Sequence, residues 1–149
     1  MRIRPTLLPA ALVAYTAAVG LSAQSPSLSV ADGVYTTAQA QRGKATYEVF
    51  CAGCHAADLL GTNSGDSGAP PLKQEGFMSG SNVGALFTKI RRTMPQDAPG
   101  SVPDHDVVDV IAYLLEANRF PAGRTELPVV AAELERIQIV DGPISSGDR

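Results

Sequence analysis

The stretch Cys51-Ala52-Gly53-Cys54-His55 determines how this chain is interpreted, because two thiols and an imidazole meet there. A Cys-x-x-Cys-His run is typical of a covalent c-type haem attachment site. The two sulfurs would form thioethers to neighbouring edges of the porphyrin, and the histidine would become an axial ligand of the iron. The chain has no other cysteine. The sequence therefore predicts one covalent haem c, held by Cys51, Cys54 and His55.

Three other interpretations of the two cysteines compete with haem attachment. A zinc site needs four ligands, and His105 would have to complete a set in which Cys54 and His55 are adjacent. A thioredoxin-like redox pair needs a βαβ setting, whereas the flanking sequence predicts helices and Gly/Pro loops. A structural disulfide between the two thiols would suit an oxidising compartment. Haem attachment is favoured over all three.

The first 23 residues have the composition of an export signal. Arg2 and Arg4 precede an apolar run at 7–21 without charged residues, and Ala23 supplies a small residue at the end. This is the order of a secretory signal peptide, and we expect cleavage after Ala23 or after Ser25. An uncleaved membrane anchor is the alternative, although the run is short for a bilayer span. Since c-type haem is attached outside the cytoplasm, we predict a bacterial periplasmic protein without stable membrane insertion after cleavage.

The charge balance argues against a nucleic-acid partner. The chain has 12 Lys and Arg against 15 Asp and Glu, and loss of Arg2 and Arg4 leaves 10 against 15, a net charge of −5. Nucleic-acid-binding domains are basic, because Lys and Arg make the phosphate contacts. The 149 residues allow one domain with extensions. We predict a signal peptide at 1–23, an extended arm at 24–35, a haem domain at 36–124 and a C-terminal extension at 125–149.

The haem domain is predicted to be all-α, with three or more helices around the haem. The first helix begins after Thr36 as N-cap, with Gln39 completing a capping box, and it leads into Cys51. Apolar residues at 3–4 spacing define its buried face. They are Ala40, Gly43, Tyr47 and Phe50.

Two further helices are predicted after a Gly/Ser-rich loop at 61–68. The second is capped by Asn82 and ends near Met94, and the third is capped by Ser101 and ends from Asn118 onward. A short helix is expected within 126–138. No stretch alternates as a strand would.

The second axial ligand of the iron is sought among the remaining methionines and histidine. Protein ligands on both sides of the iron suit an electron carrier, and a thioether opposite an imidazole raises the potential. Met94 follows a helix end, and Pro95 restricts its backbone, so Met94 is favoured. Met78 better suits a gap-filling core position, and His105 suits the surface. An open sixth position is the remaining alternative.

Four motifs, taken in order, resemble those of a class I cytochrome c. The resemblance covers about residues 40–121 and implies a mono-haem fold whose first and last helices cross at Gly43. There Val110 and Tyr113 would approach the position of the missing side chain. The motifs are Gly43-x-x-x-Tyr47-x-x-x-Cys51-x-x-Cys54-His55, Pro70-x-Leu72, Met94-Pro95 and Asp109-Val110-Ile111-Ala112-Tyr113-Leu114.

The resemblance also implies roles for two residues outside the haem motif. Pro70 would accept a hydrogen bond from Nδ1–H of His55, and a bond of this kind fixes the tautomer of a ligand. Leu72 would pack on the haem face. Arg91 and Arg92 would either pair with the haem propionates or be exposed, solubilising residues.

A narrower similarity concerns the partners. Three segments of this chain are similar to segments of small cytochrome c domains that accompany quinoprotein (PQQ-dependent) dehydrogenases. Those domains often carry a Trp soon after the position that corresponds to Phe77. This chain has no Trp, so its haem wall differs there. The segments are Tyr35-x-x-Ala38-Gln39-Ala40-x-Arg42-Gly43, Thr93-Met94-Pro95 and Asn118-x-Phe120-Pro121-Ala122-Gly123.

The function implied by the resemblance is one-electron transfer without conversion of a substrate. The partners would be redox proteins: a dehydrogenase as donor and an oxidase or another cytochrome as acceptor. The alternatives are a haem-bearing subunit of a quinoprotein dehydrogenase, an open-site haem enzyme and a gas sensor.

Overall fold

A computed structural model describes residues 28–62 and 68–142. The predicted signal peptide at 1–23 lies outside these ranges, as do residues 24–27, 63–67 and 143–149. In the described part the chain forms five α-helices and three short strands around one hydrophobic core. The helices are α1 (Thr37–Phe50), α2 (Ala52–His55), α3 (Val83–Thr93), α4 (Asp104–Ala117) and α5 (Ala131–Leu134). The strands are β1 (Leu28–Ser29), β2 (Ser81–Asn82) and β3 (Ile137–Ile139). Among the described helices, none has the length and apolar character needed to cross a bilayer.

Two of the predicted helix starts are confirmed and one is wrong. Thr36 Oγ1 accepts a hydrogen bond from the backbone N–H of Gln39 at 3.1 Å, and Asn82 Oδ1 accepts one from Ala85 at 2.8 Å. α4 is instead preceded by Pro103 as N-cap, without a side-chain cap. Acidic residues in the first turn of α4 suit the positive end of the helix dipole, which gives this helix start a different source of stabilisation.

The prediction that no stretch forms a strand is wrong. β3 lies between the other two strands, parallel to β1 and antiparallel to β2. Ile137 and Ile139 are buried, and Gln138 between them is exposed. Strands of two or three residues are too short for their alternation to be recognised in a sequence.

The predicted apolar face of α1 is correct except at its last residue. Ala40, Gly43 and Tyr47 are buried, whereas Phe50 is 44% exposed. The buried face of α1 therefore ends one turn before Cys51.

α1 and α4 make a backbone contact at Gly43. A Cβ atom built there would clash with the carbonyl group of Asp109 and would lie 2.8 Å from the backbone nitrogen of Val110. The approaching atoms thus belong to Asp109 and Val110. Tyr113 lies instead against Tyr47, with ring centroids 5.4 Å apart.

The hydrophobic core draws residues from both sides of the predicted 36–124 range. On the N-terminal side, Val30, Val34 and Tyr35 are buried. On the C-terminal side, the segment at 126–139, which we name the C-terminal strap, contributes its own buried set. These residues are Leu127, Leu134, Ile137 and Ile139.

The beginning of the strap is bound to α1 by side chains. Gln39 and the backbone of Leu127 exchange two buried hydrogen bonds, of 3.2 and 2.8 Å. The predicted capping box is therefore wrong, because the amide of Gln39 bonds to the strap and not to Thr36. The Arg42 guanidinium bonds to both carboxylate oxygens of Asp109 and to both of Glu126, at 2.7 to 3.1 Å. The hydrogen bonds from Arg42 to Glu126 hold the pKa of the Glu126 carboxyl below its ordinary value of 4.5.

Replacing Gly43 tests the contact between the two helices. Because a backbone carbonyl faces this position, Gly43→Val should lower the free energy of unfolding by about 3 kcal/mol, the upper end of the usual overpacking cost. Urea unfolding measures the change. Ala45→Val, at an exposed position of the same helix, is the control. Equal stability of the two variants would show that α1 and α4 do not meet at Gly43.

The ion pair between Arg42 and Glu126 should make stability depend on pH. A carboxylate whose pKa is lowered by folding stabilises the protein above its unfolded pKa, near 4.5, and this contribution is lost as pH falls through the lower folded pKa. Glu126→Gln should therefore be less stable than the natural protein at pH 7, and the difference should shrink on acidification. Glu133→Gln, an exposed carboxylate on α5, is the control. A difference that stays constant from pH 7 to about pH 2 would contradict this linkage.

Candidate haem site

A single helical turn brings the two cysteines and His55 together. Cys51 ends α1, with its N–H donating to the carbonyl of Tyr47 at 2.9 Å. The carbonyl of Cys51 then accepts from the N–H groups of Cys54 and His55, at 3.1 and 2.9 Å. The spacing of the motif is therefore realised as α2, a continuation of the helix that precedes it.

Both cysteines are free thiols with different exposure. Cys51 is half-buried and Cys54 is exposed. Burial, followed by the effect of nearby Cys54, raises the pKa of the Cys51 thiol to about 11. A thioredoxin-like pair would need a thiol of lowered pKa. Among the described residues, no group of three or more His, Cys, Asp and Glu side chains could hold a metal ion.

His55 is buried and oriented by a backbone carbonyl. His55 is 8% exposed, and its Nδ1 lies 2.9 Å from the carbonyl oxygen of Pro70. Because that carbonyl can only accept, Nδ1 carries a proton, and the lone pair of a neutral imidazole in this tautomer is on Nε2. An imidazole held in this tautomer is prepared to ligate a metal through Nε2.

The backbone after His55 adopts an unfavourable conformation that Tyr47 stabilises. Ala56 and Leu59 have φ of 62° and 64°, in the left-handed region that residues with a Cβ avoid. The hydroxyl of Tyr47 donates to the carbonyl of Ala56 at 2.7 Å. Burial raises the pKa of Tyr47, so this hydroxyl stays protonated and remains a donor.

The segment with Pro70 and Leu72 is bound to this turn and to the end of α4. The carbonyl of Leu59 accepts from the N–H of Leu72 at 2.8 Å. Leu72 is half-buried and packs against the core. Its carbonyl accepts a hydrogen bond from Nδ2 of Asn118, also at 2.8 Å.

Asn118 is a supporting residue whose role sequence reasoning missed. Nδ2 also donates to Leu114, and Oδ1 accepts from the N–H of Gln74 at 3.1 Å. The sequence indicated only that a helix ends here, which Asn commonly does. Nothing local to Asn118 identifies Leu72 and Gln74, more than 40 residues earlier, as its partners.

The three candidates for the second axial ligand lie in different environments. Met94 is half-buried with an extended backbone directly after α3, and its N–H donates to Ile90 at 2.9 Å. Met78 is half-buried and packs against the core. The His105 side chain is 70% exposed, with Nε2 3.4 Å from a carboxylate oxygen of Asp106.

Arg91 and Arg92 also differ. Nε of Arg91 lies 2.6 Å from Oδ1 of Asp104, at the start of α4, and its guanidinium stands 5.6 Å from the ring centre of Phe87. Arg92 is exposed and borders a surface groove beside α3. Arg91 therefore joins the end of α3 to the start of α4 in the described structure.

The residues present fit a covalent haem. Two free thiols one turn apart can each form a thioether, and the adjacent imidazole offers a lone pair from a fixed tautomer. Met94, half-buried at the end of α3, has a thioether of the type found opposite histidine in haem proteins.

Comparison with known proteins identifies a family. The family model described as "Cytochrome C oxidase, cbb3-type, subunit III" matches residues 38–114, just over half of the chain. The match covers α1 from its second residue, all of α2 and α3, and most of α4. No curated protein matches the sequence.

Asn118 should prove important for the order of the segment at 72–74. Asn118→Ala removes the donor to two carbonyls and the acceptor for one N–H, and should destabilise the protein by about 1–3 kcal/mol. Amide hydrogen exchange should show the loss of protection at residues 72–74 before it appears in α1. Glu116→Ala, at an exposed position of the same helix, is the control. Unchanged exchange at 72–74 would remove Asn118 from its supporting role.

Proposed function

The chain belongs to this cytochrome c family, and from that premise we propose that it is an exported one-electron carrier with a single covalent haem. Family membership itself implies haem c, iron, electron transport and redox-protein partners. The proposal adds covalent attachment through Cys51 and Cys54, ligation by His55 and Met94, and a place in the periplasm. It also adds a dehydrogenase as donor and an oxidase or another cytochrome as acceptor.

The observation that carries the proposal is the hydrogen bond between His55 and Pro70. It fixes Nδ1 of His55 on a backbone carbonyl, while the free thiols of Cys51 and Cys54 stand one turn before and directly before this residue. A buried histidine in a purely structural role would need no paired cysteines beside it. Bound haem supplies a centre that accepts and releases one electron, and the protein contributes the fixed ligand orientation.

Ligation by Met94 is supported by the position of this residue at the end of a helix. α3 ends at Thr93, and Met94 follows it in an extended conformation and is half-buried. Of the alternatives, Met78 packs on the core and His105 is mostly exposed beside a carboxylate. Two protein ligands leave the iron closed to substrates, which suits a carrier and not an enzyme or a gas sensor.

A docking region for redox partners is supported by exposed apolar residues next to the haem motif. Val49 is 75% exposed and Phe50 is 44% exposed, and both immediately precede Cys51. Cys54 is exposed as well. Redox encounters use small, transient interfaces, and a limited apolar area near the attached cofactor suits such contacts.

A second candidate is a haem-bearing subunit of a larger oxidoreductase, such as a quinoprotein dehydrogenase. The observation that favours it is a pair of exposed valines on the C-terminal strap, Val129 at 47% and Val130 at 52% exposure. A permanent partner could cover this pair. Co-purification from the native source at high salt separates a subunit from a freely diffusing carrier.

Replacing Met94 tests the second ligand. Met94→Ala should leave the haem attached, lower the potential and allow the reduced protein to bind carbon monoxide, because the thioether that closes the site is gone. Absorption spectra of the reduced protein with and without carbon monoxide measure this. Met78→Ala is the matched control and should behave like the natural protein. If the control opens the site and Met94→Ala does not, Met78 is the ligand.

The carrier function can be tested with one preparation of the full-length protein expressed with haem maturation. The colour should stay with the polypeptide through acid–organic extraction, since two thioethers hold the haem. The reduced spectrum should change little with carbon monoxide, and the haem should cycle only when a reductant protein and an acceptor are supplied. Freely extractable haem would overturn covalent attachment. Steady peroxidase turnover without any electron partner would overturn the carrier function.

A further inference from the structure

The C-terminal strap connects the helix that leads into the haem motif with the helix that leads into Met94, the proposed second ligand of the iron. α1 runs directly into Cys51, and α3 runs directly into Met94. We propose that the strap fixes α3 relative to α1 and thereby holds the Met94 thioether in its ligating position. This inference rests on the proposed His55 and Met94 ligation and assigns a positioning role to residues 126–139.

The α1 end of the strap is held by polar contacts of two kinds. Gln39, 2% exposed, forms a closed pair of hydrogen bonds with the backbone of Leu127. One residue earlier, Glu126 accepts from Arg42, which also holds Asp109 on α4. Because the Gln39 amide bonds to backbone atoms, this end of the strap has a defined register on α1.

The α3 end of the strap is held by strand pairing and by close packing. β3 pairs with β2, and the N–H of Gly80 donates to the carbonyl of Ile139 at 3.0 Å. Asn82 pairs with Gln138 in this ladder and also caps α3. The first turn of α3 is therefore continuous with the strand that the strap positions.

Gly84 brings α3 into direct contact with the strap backbone. A Cβ atom at this position would lie 2.6 Å from Cγ and 2.8 Å from the backbone nitrogen of Glu135. The side chain of Glu135 could rotate away, but its backbone nitrogen could not. Only glycine allows α3 to lie this close to the strap.

The contact at Gly84 can affect Met94 because α3 is a continuous helix between them. A helix moves nearly as a rigid element, so a displacement at its first turn shifts its last residue too. A ligand group held about 1 Å from its productive position loses much of its function. The strap would thus bias the equilibrium between a closed and an open sixth position of the iron.

Gly84→Ala in the full-length haem protein tests this inference. Alanine is the better helix former, so a harmful effect cannot arise from helix propensity. We expect the carbon monoxide-bound fraction of the reduced protein, at a fixed gas concentration, to rise at least about fivefold as the closed state loses population. The amides of α3 should lose hydrogen-exchange protection by a similar factor, while those of α1 keep theirs. Ala85→Ser, the next and exposed position of α3, is the matched control.

A second control separates positioning from general loss of stability. Tyr35→Phe removes the hydrogen bond of 2.7 Å from the Tyr35 hydroxyl to the carbonyl of Phe120. Because both residues of this bond lie outside α3 and the strap, the variant should be less stable but should react with carbon monoxide as the natural protein does. If Gly84→Ala and Tyr35→Phe give the same spectra, or if exchange rises equally in α1 and α3, the strap is only part of the fold and the inference is wrong.

Two further outcomes can be interpreted with one additional variant and with the natural protein. If Gly84→Ala yields no haem protein, Ile139→Val makes a smaller change in the buried strand and should show the same local exchange in α3. Unchanged exchange in α3 of that variant would overturn the inference. If the natural protein already binds carbon monoxide readily, the proposed ligation fails, while the exchange result still reports whether the strap holds α3.

Discussion

The backbone contact of α1 with α4 at Gly43 is the constraint on which the rest of the structure depends. No side chain stands between Gly43 and the carbonyl of Asp109, so the two helices can approach until their main chains touch. Polar and aromatic contacts then stabilise the approach on either side. The Arg42 guanidinium forms a bidentate ion pair with the carboxylate of Asp109, and Tyr47 packs against Tyr113. Bidentate pairs of this kind specify geometry as well as adding energy.

The candidate site is supported from both of these helices. α1 provides Tyr47, which holds the carbonyl of Ala56 in a conformation that costs about 1–3 kcal/mol in general. α4 provides Asn118, which holds the segment that follows Pro70. His55 lies between these supports and receives its orientation from Pro70. The helix pair thus supports the position of the imidazole through hydrogen bonds to the backbone carbonyls of Ala56 and Leu72, and the carbonyl of Pro70 orients the ring.

The C-terminal strap adds a third connection, outside the part of the chain that the family model covers. The match ends at residue 114, and the strap begins 12 residues later. Its buried side chains and its central strand nevertheless complete the core beside α3. The contacts described for the strap are with α1, with α3 and with the two outer strands.

The sequence by itself determined the haem motif, the caps at Thr36 and Asn82 and the buried face of α1 as far as Tyr47. These features depend on residues within a few positions of one another, where spacing and chemistry are directly readable. Only the tertiary structure decided which atoms meet at Gly43, that Gln39 bonds to the strap and that Ile137–Ile139 forms a strand. Gln39 and Leu127 are 88 positions apart, and nothing in the sequence around Gln39 identifies Leu127 as the partner of its amide. Such contacts arise when the chain packs, because packing decides which polar groups lose water and must bond to one another.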